Sequence, residues 1–125
     1  MVAHGCSHSQ TDWFDSTSGI CEECIGLPEE KAIVQLAHKR NLLVVAMSSE
    51  NRDHKCWKLS KDGPRAATVL QHFAEQYPDA PLYAFGASSG GSFVSQLENW
   101  MVPRTPNLSL TGFISQIMAS SPPRV

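Results

Sequence analysis

A strand, a tight turn and a helix are predicted in succession by residues 81–94, which read Pro81-Leu82-Tyr83-Ala84-Phe85-Gly86-Ala87-Ser88-Ser89-Gly90-Gly91-Ser92-Phe93-Val94. The apolar run from Leu82 to Phe85 is typical of a buried strand, and Phe93 and Leu97 share one face of a helix. Between the two apolar segments lie mostly small residues. Small residues are needed because a strand that turns directly into a helix brings the two backbones close together. The stretch therefore predicts a strained turn at Ser88.

The same stretch contains the pattern G-x-S-x-G, as Gly86-Ala87-Ser88-Ser89-Gly90. In this pattern the serine lies on a sharp strand-to-helix turn and acts as a nucleophile. The helix that begins there supplies N–H groups and a dipole that favour developing negative charge. The alternative is a Gly/Ser turn without chemistry, because such residues often cluster in loops. The apolar strand before the serine and the amphipathic helix after it favour the catalytic interpretation.

Composition limits the class of protein. The chain has 125 residues, of which 42% are hydrophobic, and this predicts one globular domain over residues 1–125. A net charge of −2 with 18% charged residues and no basic stripe argues against nucleic acid as a partner. The longest apolar run, Leu42 to Met47, is too short to cross a bilayer. Residues 1–5 do not read as a signal peptide, so the localisation stays open: cytoplasmic by default, or secretory for a longer parent.

Strands and helices are predicted to alternate along the chain. The order predicts an α/β fold, a parallel sheet with right-handed crossovers. The second strand is apolar throughout, which indicates a strand covered on both faces. The predicted strands are Met1 to Ala3, Leu42 to Met47, Leu82 to Phe85 and Leu110 to Ala119, and the helices are Pro28 to about Arg40, Asp62 to Tyr77, and Ser89 to about Met101.

Three segments carry a resemblance to a known family. His4-Gly5-Cys6, Cys56-Trp57 and the run from Gly86 to Gly91 resemble motifs of the α/β-hydrolases, most closely the branch that holds polyhydroxybutyrate depolymerases and feruloyl-esterase-like proteins. The resemblance covers His4 to about Ala119. It implies a partial α/β-hydrolase sheet of about four parallel strands with three crossover helices. The implied spatial order is second, first, third and fourth strand.

The resemblance also implies an activity and a site. It implies an esterase-like serine hydrolase that acts on a small-molecule acyl ester and uses no cofactor or metal. Ser88 would be the nucleophile, and the backbone N–H groups of Cys6 and Ser89 would form the oxyanion hole. These residues would lie at the carboxyl ends of neighbouring strands, where the strand order reverses and open α/β sheets bind ligands.

The chain departs from the family after the serine. The family order is serine, acid, histidine, yet no histidine follows Ser88, and the one later acid, Glu98, lies nearly three helical turns away. Of the upstream histidines, His4 and His8 are expected near the rim of the site. We therefore predict ester hydrolysis barely above background, because a serine without a base is a weak nucleophile. Any real turnover would need a base among the upstream histidines.

The same departure supports a second function class. The chain would be a fragment or a degenerate copy of a hydrolase, acting at most as a binding or interaction module. Compared with the family, its first strand is cut short, its triad acid and histidine would lie outside it, and its fourth strand would lack a neighbour. Such an apolar edge invites self-association, so we expect the isolated chain to aggregate or to be molten.

The four cysteines leave several interpretations open. The implied strand order places Cys6 and Cys56 at one edge of the sheet, close enough to pair. Cys21 and Cys24 would then be a local pair or free thiols. Cys21-Glu22-Glu23-Cys24 could instead be half of a zinc site, although a second C-x-x-C is missing. A redox role would need a strand-to-helix junction, whereas the next helix begins only at Pro28.

The remaining histidines and tryptophans have structural interpretations. His38 and His72 lie on predicted amphipathic helices and are expected to be solvated or partly buried structural residues. Trp57 and Trp100 are expected to pack against the core. Trp13 follows the loop that contains Cys6, and this position could place its ring in the wall of a pocket.

Overall fold

Four parallel strands form a single sheet in a computed structural model that describes residues 1–19 and 21–116. The strands are β1 (Val2–Ala3), β2 (Ala46–Met47), β3 (Tyr83–Ala87) and β4 (Gly112–Gln116), and the helices are α1 (Pro28–Lys39), α2 (Leu59–Gln76) and α3 (Ser89–Met101). The strands pair in the order β2-β1-β3-β4. The predicted α/β class, with four parallel strands and three helices, is confirmed. No helix in the described ranges is long and apolar enough to cross a membrane.

The short strand β1 lies at the centre of the sheet. Val2 is paired with Ala46 on one side and with Phe85 on the other, and Ala3 is completely buried. Helix α3 passes directly over this point, because a Cβ atom on Gly90 would collide with the carbonyl group of Ala3. The end of β1 and the start of α3 are therefore held in contact.

Helices cover both faces of the sheet. On one face, α2 and α3 contribute a large cluster of buried apolar residues, among them Ala66, Leu70, Val94 and Leu97. On the other face, a smaller cluster joins Val2, Trp13 and Val34. The larger cluster anchors β3 and α3, the two elements that flank Ser88, so the turn between them is supported by the best-packed part of the molecule.

The second strand is shorter and less covered than predicted. Only Ala46–Met47 pairs with β1, whereas Leu42 is 37% and Leu43 60% exposed. The prediction that Leu42 to Met47 is covered on both faces was therefore wrong. The reason is local: the Leu42 N–H donates to the Ala37 carbonyl oxygen, so this part of the chain closes the end of α1 instead of extending the sheet.

Helix α2 begins three residues before the predicted start at Asp62. The buried Asp62 carboxylate accepts the N–H groups of Lys58 at 2.8 Å and Glu50 at 2.7 Å. Accepting the Lys58 N–H lets the helix start at Leu59, and Pro64 then lies inside the helix.

The predicted ends of α1 and α2 are right to within one residue, and the predicted end of α3 at Met101 is confirmed. The predicted strand residues 117–119 lie outside the described residues.

Candidate active site

Ser88 occupies a strained turn between β3 and α3. Its backbone has φ 53° and ψ −117°, a conformation that a residue with a Cβ atom rarely adopts. The Ser88 N–H donates to the Gln116 carbonyl oxygen at 2.9 Å, and the Ser88 carbonyl oxygen accepts the Ser92 N–H at 3.0 Å. The turn is thus fixed from β4 on one side and from α3 on the other. The predicted strained turn at Ser88 is confirmed, and the residue is exposed.

Two glycines make this turn possible. A Cβ atom on Gly86 would collide with the carbonyl group of Gly90, and one on Gly90 would collide with the carbonyl groups of Ala3 and His4. The first contact brings the end of β3 onto the first turn of α3. The second brings α3 onto the end of β1. The small residues of the motif therefore bring three elements together at one point.

Opposite the turn lies the His4–Ser9 loop, residues 4–9, which follows β1. Hydrogen bonds and a disulfide join the loop to the segment after β2, residues 48–58. Trp57 Nε1 donates to the His4 carbonyl oxygen at 2.7 Å, and the Ser7 N–H donates to the His54 carbonyl oxygen at 2.8 Å. A disulfide joins Cys6 to Cys56 with a Cα–Cα distance of 4.2 Å. The prediction that these two cysteines lie close enough to pair is confirmed.

His4 is a structural residue within this loop. Its Nε2 atom accepts the Ser49 N–H at 3.1 Å, so the proton is on Nδ1, which donates to the Gly5 carbonyl oxygen at 2.6 Å. Burial lowers the pKa of His4 below its usual value. Because both ring nitrogens are engaged, His4 has no lone pair to offer a substrate.

Trp57 packs as predicted and also connects the loop to α3. Its ring stacks on Phe93, with 4.6 Å between the ring centroids and 16° between the planes. Its backbone N–H donates to the Ser89 Oγ atom at 2.7 Å. The Ser89 side chain is therefore used in positioning, which leaves its backbone N–H as the part available for chemistry. Trp100 also packs against the core.

A cleft of about 220 Å³ lies between the His4–Ser9 loop and the turn at Ser88. It is lined by the His4–Ser9 loop, by Trp13 and Glu30, and by Ala87 and Ser88. Trp13 is buried, with its ring edge-on to Phe85 at 6.0 Å between centroids. The expectation that Trp13 could line a pocket is met. Ser88 thus lies in the wall of a small cleft with an aromatic side.

Of the two predicted hydrogen-bond donors, Cys6 lies at this cleft. Cys6 lines the cleft, and Ser89 follows Ser88 in the chain. Within the described residues, neither the Cys6 N–H nor the Ser89 N–H donates to an acceptor, and the Ser88 hydroxyl has no partner. The free Ser88 hydroxyl and Cys6 thus lie at one cleft, and the free N–H of Ser89 adjoins Ser88 in the chain. A hydroxyl and N–H groups are what acyl transfer uses.

His8, which lines the cleft, forms a pair with the buried Asp12 that sequence reasoning missed. His8 Nδ1 lies 2.6 Å from Asp12 Oδ2, with His8 half-exposed and Asp12 buried. From the sequence, His8 is expected only near the rim, and no pattern singles out Asp12. The sequence signal for this pair is that Asp12 follows His8 by four positions. That spacing became informative only with the short 3₁₀ turn Gln10–Asp12, which brings Asp12 back toward His8.

The other residues predicted as possible site residues have structural roles away from the cleft. The Glu98 carboxylate accepts the Leu110 N–H at 2.7 Å and so holds the approach to β4, away from the cleft. Cys21 and Cys24 form a local disulfide with a Cα–Cα distance of 5.5 Å, which leaves neither as a thiolate for zinc. In the ranges that the structure describes, no cluster of three or more His, Cys, Asp or Glu residues could hold a metal ion.

Comparison with known proteins identifies no relative of this chain. No protein-family model matches the chain, and searches of curated proteins and of solved structures find no match. The resemblance to α/β-hydrolases therefore stays a prediction from three short motifs.

Proposed function

We propose that this protein is a serine hydrolase that cleaves acyl esters, with Ser88 as the nucleophile. The observation that carries the proposal is the backbone of Ser88, at φ 53° and ψ −117° on an exposed turn at a cleft. Strain of this kind persists only where the surrounding structure holds it, and it is concentrated at active sites. Here β4, α3 and two glycines all hold it.

The reaction would begin with attack of Ser88 Oγ on the acyl carbon of the ester. The carbonyl oxygen would become an oxyanion, which the N–H groups of Cys6 and Ser89 would bind. The N-terminus of α3 would add its dipole at the same position. Placement of Cys6 depends on its disulfide to Cys56 and on the fastening of the His4–Ser9 loop, so the loop contacts would be part of the catalytic apparatus.

The cleft favours a small acyl group. At about 220 Å³ it lies below the roughly 300–1,000 Å³ of pockets that enclose drug-sized ligands. The buried ring of Trp13 gives one wall an apolar surface. We therefore expect short or planar acyl groups to fit better than long chains.

Active-site labelling tests the proposal. A fluorophosphonate probe reacts with an activated serine, and mass spectrometry of the digested protein identifies the modified residue. We expect modification of Ser88, and we expect Ser88→Ala to abolish it. The matched control is Ser109→Ala, since Ser109 is exposed and distant in sequence from the turn. Modification of another serine, or none, would contradict the proposal.

A second candidate function rests on β4. Phe113 is 47% and Ile114 65% exposed on this strand, and no strand in the described part of the chain pairs with its outer edge. An interaction module that pairs through β4 would use these side chains and would leave Ser88 unlabelled. The labelling experiment thus separates the two functions.

A further inference from the structure

We propose that His8 and Asp12 provide the base for Ser88: His8 takes the proton from the serine hydroxyl, and Asp12 is the positioning residue that orients His8. This inference rests on the proposed hydrolase function. It goes beyond that function because it locates the base upstream of the serine, in the His4–Ser9 loop.

The pair has the geometry of an oriented base. Asp12 Oδ2 lies 2.6 Å from His8 Nδ1, and an ionised carboxylate can only accept a hydrogen bond. The proton is therefore on Nδ1, and Nε2 carries the free lone pair. Asp12 is buried and also lies within reach of the Ser9 N–H, so its position is fixed by the loop. A base held by a buried acid is the arrangement that activates serine nucleophiles.

The His8 end of the pair lies at the same cleft as Ser88, because both residues line it. An atom at the Cβ position of Gly5 would lie 3.5 Å from Ser88 Cβ and 3.9 Å from His8 Cδ2, the ring carbon bonded to Nε2. Gly5 has no Cβ atom, so the space between the two side chains is open. Both side chains thus border the position that a Gly5 side chain would occupy.

The other histidines are unsuitable. Both nitrogens of His4 are engaged by backbone groups. His54 Nδ1 accepts the Cys56 N–H at 3.0 Å, and His54 does not line the cleft. His38 and His72 lie on α1 and α2. His8 is therefore the histidine with a free nitrogen at the cleft.

The chain order does not argue against this assignment. Serine, histidine and acid occur in several orders along unrelated chains, since the triad is defined by geometry and roles. Here the order would be His8, Asp12, Ser88. The absence of a histidine after Ser88, which led to the prediction of activity barely above background, would then be compensated from the loop.

The proton balance is complete within the pair. His8 Nε2 accepts the Ser88 proton as Oγ bonds to the acyl carbon, and the protonated ring then gives this proton to the leaving alkoxide as the ester C–O bond breaks. His8 next accepts a proton from water, whose oxygen attacks the acyl carbon. Collapse of the second oxyanion breaks the bond to Ser88 Oγ, which recovers its proton from His8.

The test compares rates of fluorophosphonate labelling at Ser88. Removal of a general base typically slows such a reaction by about 10²–10⁴-fold, so we expect a loss of this size in His8→Ala and His8→Gln. We expect a clear loss in Asp12→Asn as well. The matched control His38→Ala removes an exposed histidine on α1 and should label at the wild-type rate. Added imidazole should restore part of the rate in His8→Ala, because it can replace the missing base.

The outcomes distinguish a failure of the base assignment from a failure of the proposed hydrolase function. If the wild type labels at Ser88 and His8→Ala labels equally fast, the base assignment is overturned and the hydrolase proposal stands. A slow His8→Ala that imidazole cannot rescue, with the unfolding midpoint unchanged, also overturns the assignment. If the wild type is not labelled at Ser88, both proposals fall.

Discussion

At the scale of single residues, the buried His4 ring is the contact through which β1, the His4–Ser9 loop and the segment after β2 meet. The Nε2 atom of the ring accepts the Ser49 N–H, which requires the neutral form, and Nδ1 donates to the Gly5 carbonyl oxygen. It also lies 5.1 Å from the Trp57 ring, centroid to centroid. Protonation would place an N–H of the ring against the N–H of Ser49, in a site with little solvent.

The stability of the protein should therefore fall in mild acid. Burial lowers the pKa of His4 from 6.5, so the unfolded state takes up a proton at a pH where the folded state does not. The contribution of His4 is complete above pH 6.5 and is lost as the pH falls toward the lowered pKa. Urea unfolding from pH 8 to pH 5 measures this loss as a decreasing midpoint.

The variant His4→Gln isolates the effect, because its side-chain oxygen can still accept the Ser49 N–H but does not titrate. The buried amino group of Met1, whose pKa is lowered to about 6, adds a loss of the same sign in both proteins. We expect the wild-type midpoint to fall more steeply below pH 6.5 than that of the variant. Parallel curves would show that His4 does not titrate in this way.

Residue roles were only partly predictable from the sequence. The position of Ser88 followed from neighbouring residues, because a strand, small residues and a helix are local patterns. The partnership of His8 with Asp12 did not, since it depends on a 3₁₀ turn in a segment without any apolar period. The structural role of His4 depends on Ser49, 45 residues away, and no local pattern contains that information.

At the scale of elements, the start of α2 depends on one carboxylate. Asp62 accepts the backbone N–H groups of Glu50 and Lys58 and lies 2.9 Å from Arg65. It is 1% exposed. The same side chain therefore begins the helix and holds the segment after β2, which in turn carries the partners of the His4–Ser9 loop.

Asp62→Ala should lower the free energy of unfolding strongly. The two hydrogen bonds that would be lost are partly buried, and a hydrogen bond to a charged group contributes about 1.5–3 kcal/mol. We expect a loss of about 2–5 kcal/mol in urea unfolding. The matched control Asp53→Ala removes an exposed carboxylate from the same segment and should change the value by less than about 0.5 kcal/mol. A loss in Asp62→Ala no greater than in the control would contradict this role.

Element boundaries were predictable where the signal is local. Pro28 and the acidic residues after it fix the start of α1, and Pro78 follows the end of α2. The length of β2 was not predictable, because it is limited by the two residues that β1 offers for pairing. The apolar residues Leu42 and Leu43 gave a strand signal that the fold does not use.

At the scale of the whole molecule, the outer edge of β4 should control association. An unpaired strand edge with exposed apolar side chains can pair with another copy of the chain. We expect the protein to self-associate as its concentration rises, and we expect Ile114→Lys to shift it toward monomer, because a lysine on an edge strand opposes pairing. Sedimentation velocity over a concentration series measures the self-association of the wild type and the shift toward monomer in Ile114→Lys.

The matched control is Leu36→Lys, which adds the same charge at a leucine that is 54% exposed on α1. If charge alone reduced association, both variants would be equally monomeric. Association that both variants retain would exclude β4 as the interface. A monodisperse wild type with a sharp, cooperative thermal transition would contradict the expected aggregation.

The disulfide between Cys6 and Cys56 has a consequence for cleavage by proteases. It closes residues 6–56 into a covalent ring that contains α1, β2 and the bond from Cys21 to Cys24. One cut within this ring, for example at the exposed residues 16–19, leaves no fragment free to diffuse away. The nicked protein would keep Cys6 and Ser88 in one covalently joined molecule, and only a reducing agent would release the two pieces.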